Sequence, residues 1–260
     1  MRDRLVEFER VANFRDFGGY DTPDGKLVRG RLFRSASFHD ASDADIERLN
    51  ALGARLLVDL RRPEERAHEP NRWPGEAVPT VFHDDGAGDI TALPPHLMAL
   101  MQADLNADAL AAYMHYAYRS FPFEERLIQP YRAWFRGLIE GEGPAIIHCA
   151  AGKDRTGLGC ALTLFALGVS DDDVFADYEF TNQAVDLEGR FPRIQAAFEK
   201  RIGRMLDIET LRPILGVREE YLNIALDEIR AKHGSIETYL EHVLGVGPSE
   251  RAAMRQRLLA

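Results

Sequence analysis

The chain has 260 residues, room for one generous core, and its 45% apolar and 28% charged residues are those of an ordinary globular protein. Its 32 Lys and Arg against 42 Asp and Glu give a net charge of −10, which argues against a nucleic-acid partner and leaves no polybasic arm for a membrane surface. Two cysteines cannot build a disulfide framework. The first residues, Met1 to Glu7, lack the apolar core of a secretory signal. The longest apolar stretch, 159–169, is short and interrupted by Thr163 and Gly168, so no stable membrane insertion is expected.

Along the chain, the turn Asp21-Thr22-Pro23-Asp24-Gly25 predicts an extended segment over 26–35. Ser42 opens a helix to about Leu52, closed by Gly53. Residues 55–60 read as a buried strand and 77–83 as another. Asp84, Asp85 and Asp89 fit no calcium-loop spacing, and 84–121 reads as an acidic loop followed by irregular apolar helices. A longer helix over 123–140 is expected to be interrupted at Pro130 and to end at Gly141-Glu142-Gly143. Ala145 to Cys149 is a strand, and after Cys160 the chain reads as helical throughout. Asp171-Asp172-Asp173 after Ser170 form a helix start rather than a metal site, and 184–205 breaks into two pieces at Gly189 and Pro192. Helices are expected over 217–232, 236–244 and 249–259. Strands alternating with helices define an α/β fold, a mostly parallel central sheet flanked by helices with a helical C-terminal part, in a single domain over 1–260.

The chemistry concentrates in His148-Cys149-Ala150-Ala151-Gly152-Lys153-Asp154-Arg155-Thr156-Gly157, between an apolar strand and a helix. Over Cys149-x5-Arg155 the backbone can curl so that successive N–H groups face one concavity, with Gly152 relieving the dihedral cost. A helix beginning near Thr156 adds unpaired N–H groups and a positive dipole end. Arg155 supplies a planar fork for two phosphate oxygens. The same field favours the Cys149 thiolate, with Thr156 placed to donate to it and His148 to orient the loop from behind. The expected reaction is attack of Cys149 on phosphorus, a phosphocysteine intermediate and hydrolysis, with no metal or cofactor because amides and Arg155 hold the developing charge.

His-Cys-x5-Arg-Thr resembles the active-site loop of the cysteine-dependent protein tyrosine phosphatases. Lys153-Asp154 narrows the resemblance to the bacterial group known as tyrosine phosphatase family 3, with its HCxxGKDRT loop. Segments far from the loop share it: Asn13-Phe14-Arg15-Asp16-Phe17-Gly18-Gly19-Tyr20, Gly30 to Ala36, Asp59-Leu60-Arg61, Gly216 to Leu222 and Gly234 to Leu240. The resemblance implies a cysteine-phosphatase-like fold, a helical insertion over 84–121 that is a candidate lid, with plain helical packing as the other reading, and Asp154 as the general acid. It implies substrates that are phosphotyrosine proteins, with phosphoserine, phosphothreonine and phosphoinositides also in range, and inorganic phosphate held by His148, Ala150, Ala151, Gly152, Lys153 and Thr156 around Cys149.

Other readings of these residues stand beside that one. Trp73-Pro74 looks like the start of a Trp-Pro-Asp acid loop, but Gly75 follows, which leaves a packing turn. Asp59 ends the apolar run Leu56-Leu57-Val58 at the carboxyl edge of a strand, so it is a second candidate acid or an anchor for an arginine or a loop amide. Lys153 is either a second cation for substrates with more than one phosphate or a partner for Asp154. Arg15, Arg31, Arg34, Arg61, Lys153 and Arg155 are candidates for a positive rim, or else ordinary surface and structural cations. Cys160 is either a small buried hydrophobe or a resolving thiol, and Tyr178 either core or pocket lining. A reactive thiolate without a signal sequence points to a cytoplasmic location. Sulfur transfer, as in rhodanese-like domains, and a catalytically silent phosphate-binding domain are the competing classes; the Arg-Thr ending and the intact nucleophile argue against each.

Overall fold

Alternation of inward and outward side chains organises the computed structural model, which describes residues 2–74, 80–86, 106–185 and 207–260 with isolated positions between 186 and 206. Seven strands are present among the described residues: β1 (Arg15–Asp16), β2 (Asp21–Thr22), β3 (Gly25–Lys26), β4 (Leu32–Ser35), β5 (Leu56–Asp59), β6 (Thr80–His83) and β7 (Ala145–His148). The central sheet runs β1-β4-β7-β5-β6, and β2 with β3 forms a separate hairpin. β4, β7, β5 and β6 are mutually parallel, and only β1 is antiparallel, on β4. Successive residues of the inner strands face opposite sides, so two apolar clusters form. Leu32, Leu56, Val58, Ala145 and Ile147 enter the larger, with Trp134, Leu158, Leu162 and Tyr221. Phe33, Leu57 and Ile146 enter the smaller, with Phe14, Phe38, Leu49 and Trp73.

The helices are α1 (Asp43–Ala51), α2 (Pro63–His68), α3 (Ala107–Ser120), α4 (Glu125–Glu140), α5 (Asp154–Leu167), α6 (Asp171–Glu179), α7 (Thr181–Ala184), α8 (Ile208–Leu215), α9 (Glu219–His233), α10 (Ile236–His242) and α11 (Pro248–Leu258). Ser42 caps α1 by accepting from the Asp45 amide at 3.1 Å, and Asp45 in turn accepts the amides of Glu9, Arg10 and Val11, which fastens the N-terminal segment to α1. Ser170 caps α6 in the same manner, with Asp171, Asp172 and Asp173 in its first turn.

Two local expectations need correction. The extended segment over 26–35 is broken between β3 and β4 by a turn in which Gly30 takes φ +78°. Pro130 does not interrupt its helix: α4 starts at Glu125, after a 3-10 turn at Phe121–Phe123, and carries Pro130 buried within it. α8 lies in the part expected to be helical throughout and, like α4, tolerates an interior proline, Pro213, buried with Leu211. The strand over 77–83 is found as Thr80–His83; residues 75–79, residues 87–105 of the 84–121 segment and most of the 184–205 segment lie outside the described residues. No helix among the described residues is long and apolar enough to cross a membrane.

Candidate active site

The carboxyl edge of the sheet assembles the site. Register places Asp59 and Ser35 on either side of His148, so three strand ends meet just before Cys149. The chain then curls through 149–153 and enters α5 at Asp154. Gly152 has φ +67°, and a Cβ on it would lie 2.2 Å from the carbonyl oxygen of Ser35, so only glycine fits between the loop and the end of β4.

The loop carbonyls are held from behind. Ala150 O accepts from the Ser37 amide at 3.1 Å. Ala151 O and Gly152 O accept from Asn13 Nδ2 at 3.2 and 2.8 Å. Arg34 Nη2 donates to Gly152 O at 3.0 Å and to Lys153 O at 3.4 Å. The C=O and N–H of a trans peptide unit point in opposite directions. Fixing the carbonyls of 150, 151 and 152 outward therefore aims the amides of 151, 152 and 153 into the concavity above Cys149. Asn13 reaches the loop from a left-handed conformation, φ 59°, and bonds Arg15 through its Oδ1.

Arg15 and Arg34 are fully buried, and both pair with Asp177, at 4.0 and 2.8 Å. Burial, and then the like charge of Arg34, brings the Arg15 pKa down to about 9. Two guanidiniums against one carboxylate leave positive charge beneath the loop. These arginines are thus supports under the loop rather than a rim around it.

Cys149 is 2% exposed and lies at the base of a cavity of about 230 Å³. Lys153, Asp154 and Arg155 line it with Arg62, Arg126, Tyr113 and Leu215. A slightly larger cavity, about 260 Å³, opens beside Arg55, Phe82 and Arg136 and contains no cysteine, so chemistry rather than size locates the site. Arg155 is clamped by Glu65 of α2, at 2.5 Å from Nη1 and 2.9 Å from Nη2, and Nη1 also donates to Leu60 O at 3.2 Å. Burial opposes the guanidinium charge, but Glu65 and the Cys149 sulfur outweigh it and hold the Arg155 pKa well above its ordinary value. Three of its five N–H groups are so used among the described residues, which leaves the side fork of Nε and Nη2 for two oxygens of an oxyanion.

The remaining expected residues divide by role. His148 is buried, with Nδ1 3.2 Å from Cys149 O and Nε2 3.5 Å from Asp59 Oδ2, and burial lowers its pKa. It lies behind the loop, against the carbonyl of Cys149. Asp59 is held by the Arg61 amide, Nε and Nη2, the last at 2.7 Å. Burial alone would raise its pKa, but His148 and Arg61 outweigh burial and take it down to about 2. That is the anchoring role, and such a carboxylate is a poor proton donor at neutral pH. Asp154 is 21% exposed in its side chain, lines the cavity, and accepts from the Tyr118 hydroxyl at 2.8 Å. Lys153 Nζ is taken by the carbonyls of Ile214 and Gly216 at the end of α8, with Asp154 Oδ2 at 3.6 Å. Thr156 Oγ1 is buried and has no hydrogen-bond partner among the described residues.

Trp73 packs on Phe38 with ring centroids 5.3 Å apart, donates to Asn50 Oδ1 at 2.9 Å and does not line the cavity, as expected for a packing turn. Cys160 is fully buried, and burial pushes its thiol up to about 12. Asn13, Glu65 and Tyr118 were not singled out from sequence. Glu65 had a signal, the acidic first turn of a helix directly after a strand end; Tyr118 had none.

The carboxyl edge of a parallel sheet thus brings a cysteine, a loop of held carbonyls and a buried arginine to one cavity. The family is shown directly: the chain belongs to the tyrosine phosphatase family, whose sequence pattern matches residues 6–260. A protein of Cupriavidus necator named "Putative tyrosine-protein phosphatase" is 35% identical over 93% of this chain and 84% of its own length. The triple specificity protein phosphatase PtpB of Mycobacterium tuberculosis is 32% identical over 97% of this chain and 98% of its own. A tyrosine-protein phosphatase of Nostoc commune is 27% identical over 86% and 73%.

Proposed function

We propose that this chain is a metal-independent phosphomonoesterase that acts through Cys149, chiefly on phosphotyrosine. The observation that carries the reading is one cavity lined by Cys149, Asp154 and an Arg155 held in place by Glu65. A phosphoryl group seated on the loop amides and the Arg155 side fork puts phosphorus above the sulfur. The Cys149 thiolate forms the S–P bond as the ester P–O bond breaks, and Asp154 gives its proton to the departing oxygen. Thr156, whose hydroxyl has no hydrogen-bond partner among the described residues, and the loop amides stabilise the sulfur when it leaves again. Asp154 then takes a proton from water as that oxygen bonds to phosphorus, and inorganic phosphate is released. Arg155 and the amides hold the charge that grows on the equatorial oxygens.

Cys149→Ser is expected to abolish phosphate release from p-nitrophenyl phosphate, acid quenching of the wild type to trap a phosphocysteine, and a chelator to leave the rate unchanged. Turnover by Cys149→Ser at the wild-type rate overturns the mechanism. A second substrate class, phosphoinositides, is favoured by Lys153, Arg62 and Arg126 together lining the cavity, because further phosphates need further cations. A panel of phosphotyrosine peptide, phosphoserine peptide and phosphoinositide separates the two: phosphotyrosine peptide is expected to have the highest kcat/KM.

A further inference from the structure

Asp154 is held from the protein side by two tyrosines on different helices. The Tyr118 hydroxyl of α3 donates to Asp154 Oδ1 at 2.8 Å, and the Tyr178 hydroxyl of α6 lies 2.6 Å from that of Tyr118. Both residues are buried, at 0% and 1% exposure. Each phenol has one hydrogen. With Tyr118 giving its hydrogen to the carboxyl, its oxygen accepts from Tyr178, and the chain Tyr178 to Tyr118 to Asp154 closes without an unsatisfied proton. Burial raises both phenol pKa values well above the ordinary range, so both keep their hydrogens at neutral pH. The site is also built for the second ring: a Cβ on Gly157, one turn into α5, would lie 2.9 Å from two ring carbons of Tyr178. Tyr118 is flanked by Phe121 and Tyr221, with ring centroids 5.3 and 5.5 Å away.

We infer that Tyr118, backed by Tyr178, is a positioning residue that commits Asp154 Oδ1 and leaves Oδ2 as the oxygen that exchanges the catalytic proton. The inference rests on Asp154 acting as acid and base as proposed above. When Asp154 is protonated, the hydrogen sits on Oδ2 and Tyr118 still donates to Oδ1. As the ester P–O bond breaks, the Oδ2–H bond breaks and the leaving oxygen gains that proton. In the second half, a proton of the attacking water returns to Oδ2 while the S–P electron pair returns to sulfur. Tyr118 keeps one partner through both protonation states, so the carboxyl plane does not turn between the half-reactions. A carboxyl without this anchor rotates about its side-chain torsion and presents either oxygen.

The test compares kcat and KM of full-length Tyr118→Phe, Tyr178→Phe and Asp154→Asn on p-nitrophenyl phosphate, with a good leaving group, and phenyl phosphate, with a poor one. Inhibition by inorganic phosphate reports the loop itself. Asp154→Asn is expected to lose on the order of 10²-fold or more in kcat on phenyl phosphate and far less on p-nitrophenyl phosphate. Tyr118→Phe is expected to lose about tenfold on phenyl phosphate, the size of one hydrogen bond to a charged group, with KM and phosphate inhibition within about twofold of wild type. Tyr178→Phe follows the same pattern more weakly, and Tyr118→Phe added to Asp154→Asn costs nothing further. Selective loss in Asp154→Asn with equal loss on both substrates in Tyr118→Phe, with weakened phosphate inhibition there, or with additive losses in the double variant, overturns the inference alone. Uniform loss in Asp154→Asn overturns the acid reading and the inference together.

Discussion

Gly152→Ala puts the loop geometry to the most direct test. The added Cβ falls 2.2 Å from Ser35 O, 2.3 Å from Ser35 C and 2.6 Å from Ala36 N, against ordinary contacts that begin at 3.4 Å. All three obstacles are backbone atoms at the end of β4, which pairs with both β1 and β7, so no side chain can swing aside. The loop must therefore lift by roughly 1 Å, a displacement that costs about 10²-fold in a positioned reaction. Left-handed strain of about 1–2 kcal/mol and overpacking of about 1–3 kcal/mol add to roughly 3 kcal/mol of destabilisation. At about 2–4 °C per kcal/mol for a chain of this size, the melting temperature is expected to fall by about 6–12 °C. Steady-state kinetics on p-nitrophenyl phosphate and thermal melts by circular dichroism read both quantities. A folded Gly152→Ala protein with kcat/KM within threefold of wild type would refute the assignment of the cradle.

Glu65→Gln keeps the shape of the Arg155 clamp but removes its charge; kcat/KM on p-nitrophenyl phosphate is expected to fall about 10–100-fold and phosphate inhibition to weaken with it, while unchanged kinetics would show that Arg155 needs no anchor. Asn13→Ala removes the bonds to Ala151 O and Gly152 O and is expected to destabilise the protein by about 1–3 kcal/mol; Asn13→Gly, which suits φ 59° but restores no bond, should rescue stability only in part and activity not at all. Acid should unfold the protein through Asp59 and His148. The Asp59 pKa is depressed to about 2, so its stabilisation, on the order of 2 kcal/mol, is complete above the unfolded value near 4 and lost as pH falls through 2. The lowered His148 pKa acts in the same direction, because the unfolded imidazole takes a proton near pH 6.5 before the buried one does. Melting temperatures that stay level between pH 7 and pH 3 would contradict this reading, and Asp59→Asn should flatten the lower part of the decline.

Much of the site was legible because the loop is contiguous. Cys149, Gly152, Asp154 and Arg155 follow one another between a strand and a helix, and local rules suffice for such a unit. The parallel sheet was legible for a similar reason: Leu56-Leu57-Val58 and Ala145-Ile146-Ile147 are apolar without interruption, as strands covered on both faces must be. What sequence concealed were partners brought in from a distance. Tyr118 meets Asp154 across 36 positions and Asn13 meets Gly152 across 139, and nothing periodic links either pair. Arg15, Arg34 and Arg61 looked like a rim because charge is normally exposed. The sheet buries them because Asp177 and Asp59 are buried with them.

That burial bears on how a protein of net charge −10 captures a phosphate ester. Cations on an acidic surface are screened within about 10 Å at moderate salt, and their neighbours compete for them. Here Arg15 and Arg34 lie behind the loop at 0% exposure, where screening is weak; Arg34 holds the Gly152 carbonyl directly and Arg15 reaches it through Asn13, and the carbonyls so held turn amides toward the concavity. Lys153 and Arg155, by contrast, are at the cavity and already engaged, by the carbonyls of Ile214 and Gly216 and by Glu65. A monoester requires only the side fork of Arg155 and the amides, neither of which has to break a bond. Recruiting Lys153 to a second phosphate means detaching it from the end of α8. The division predicts that one phosphate is bound by a preformed site, while any further phosphate is bound at the expense of a contact between the loop and α8.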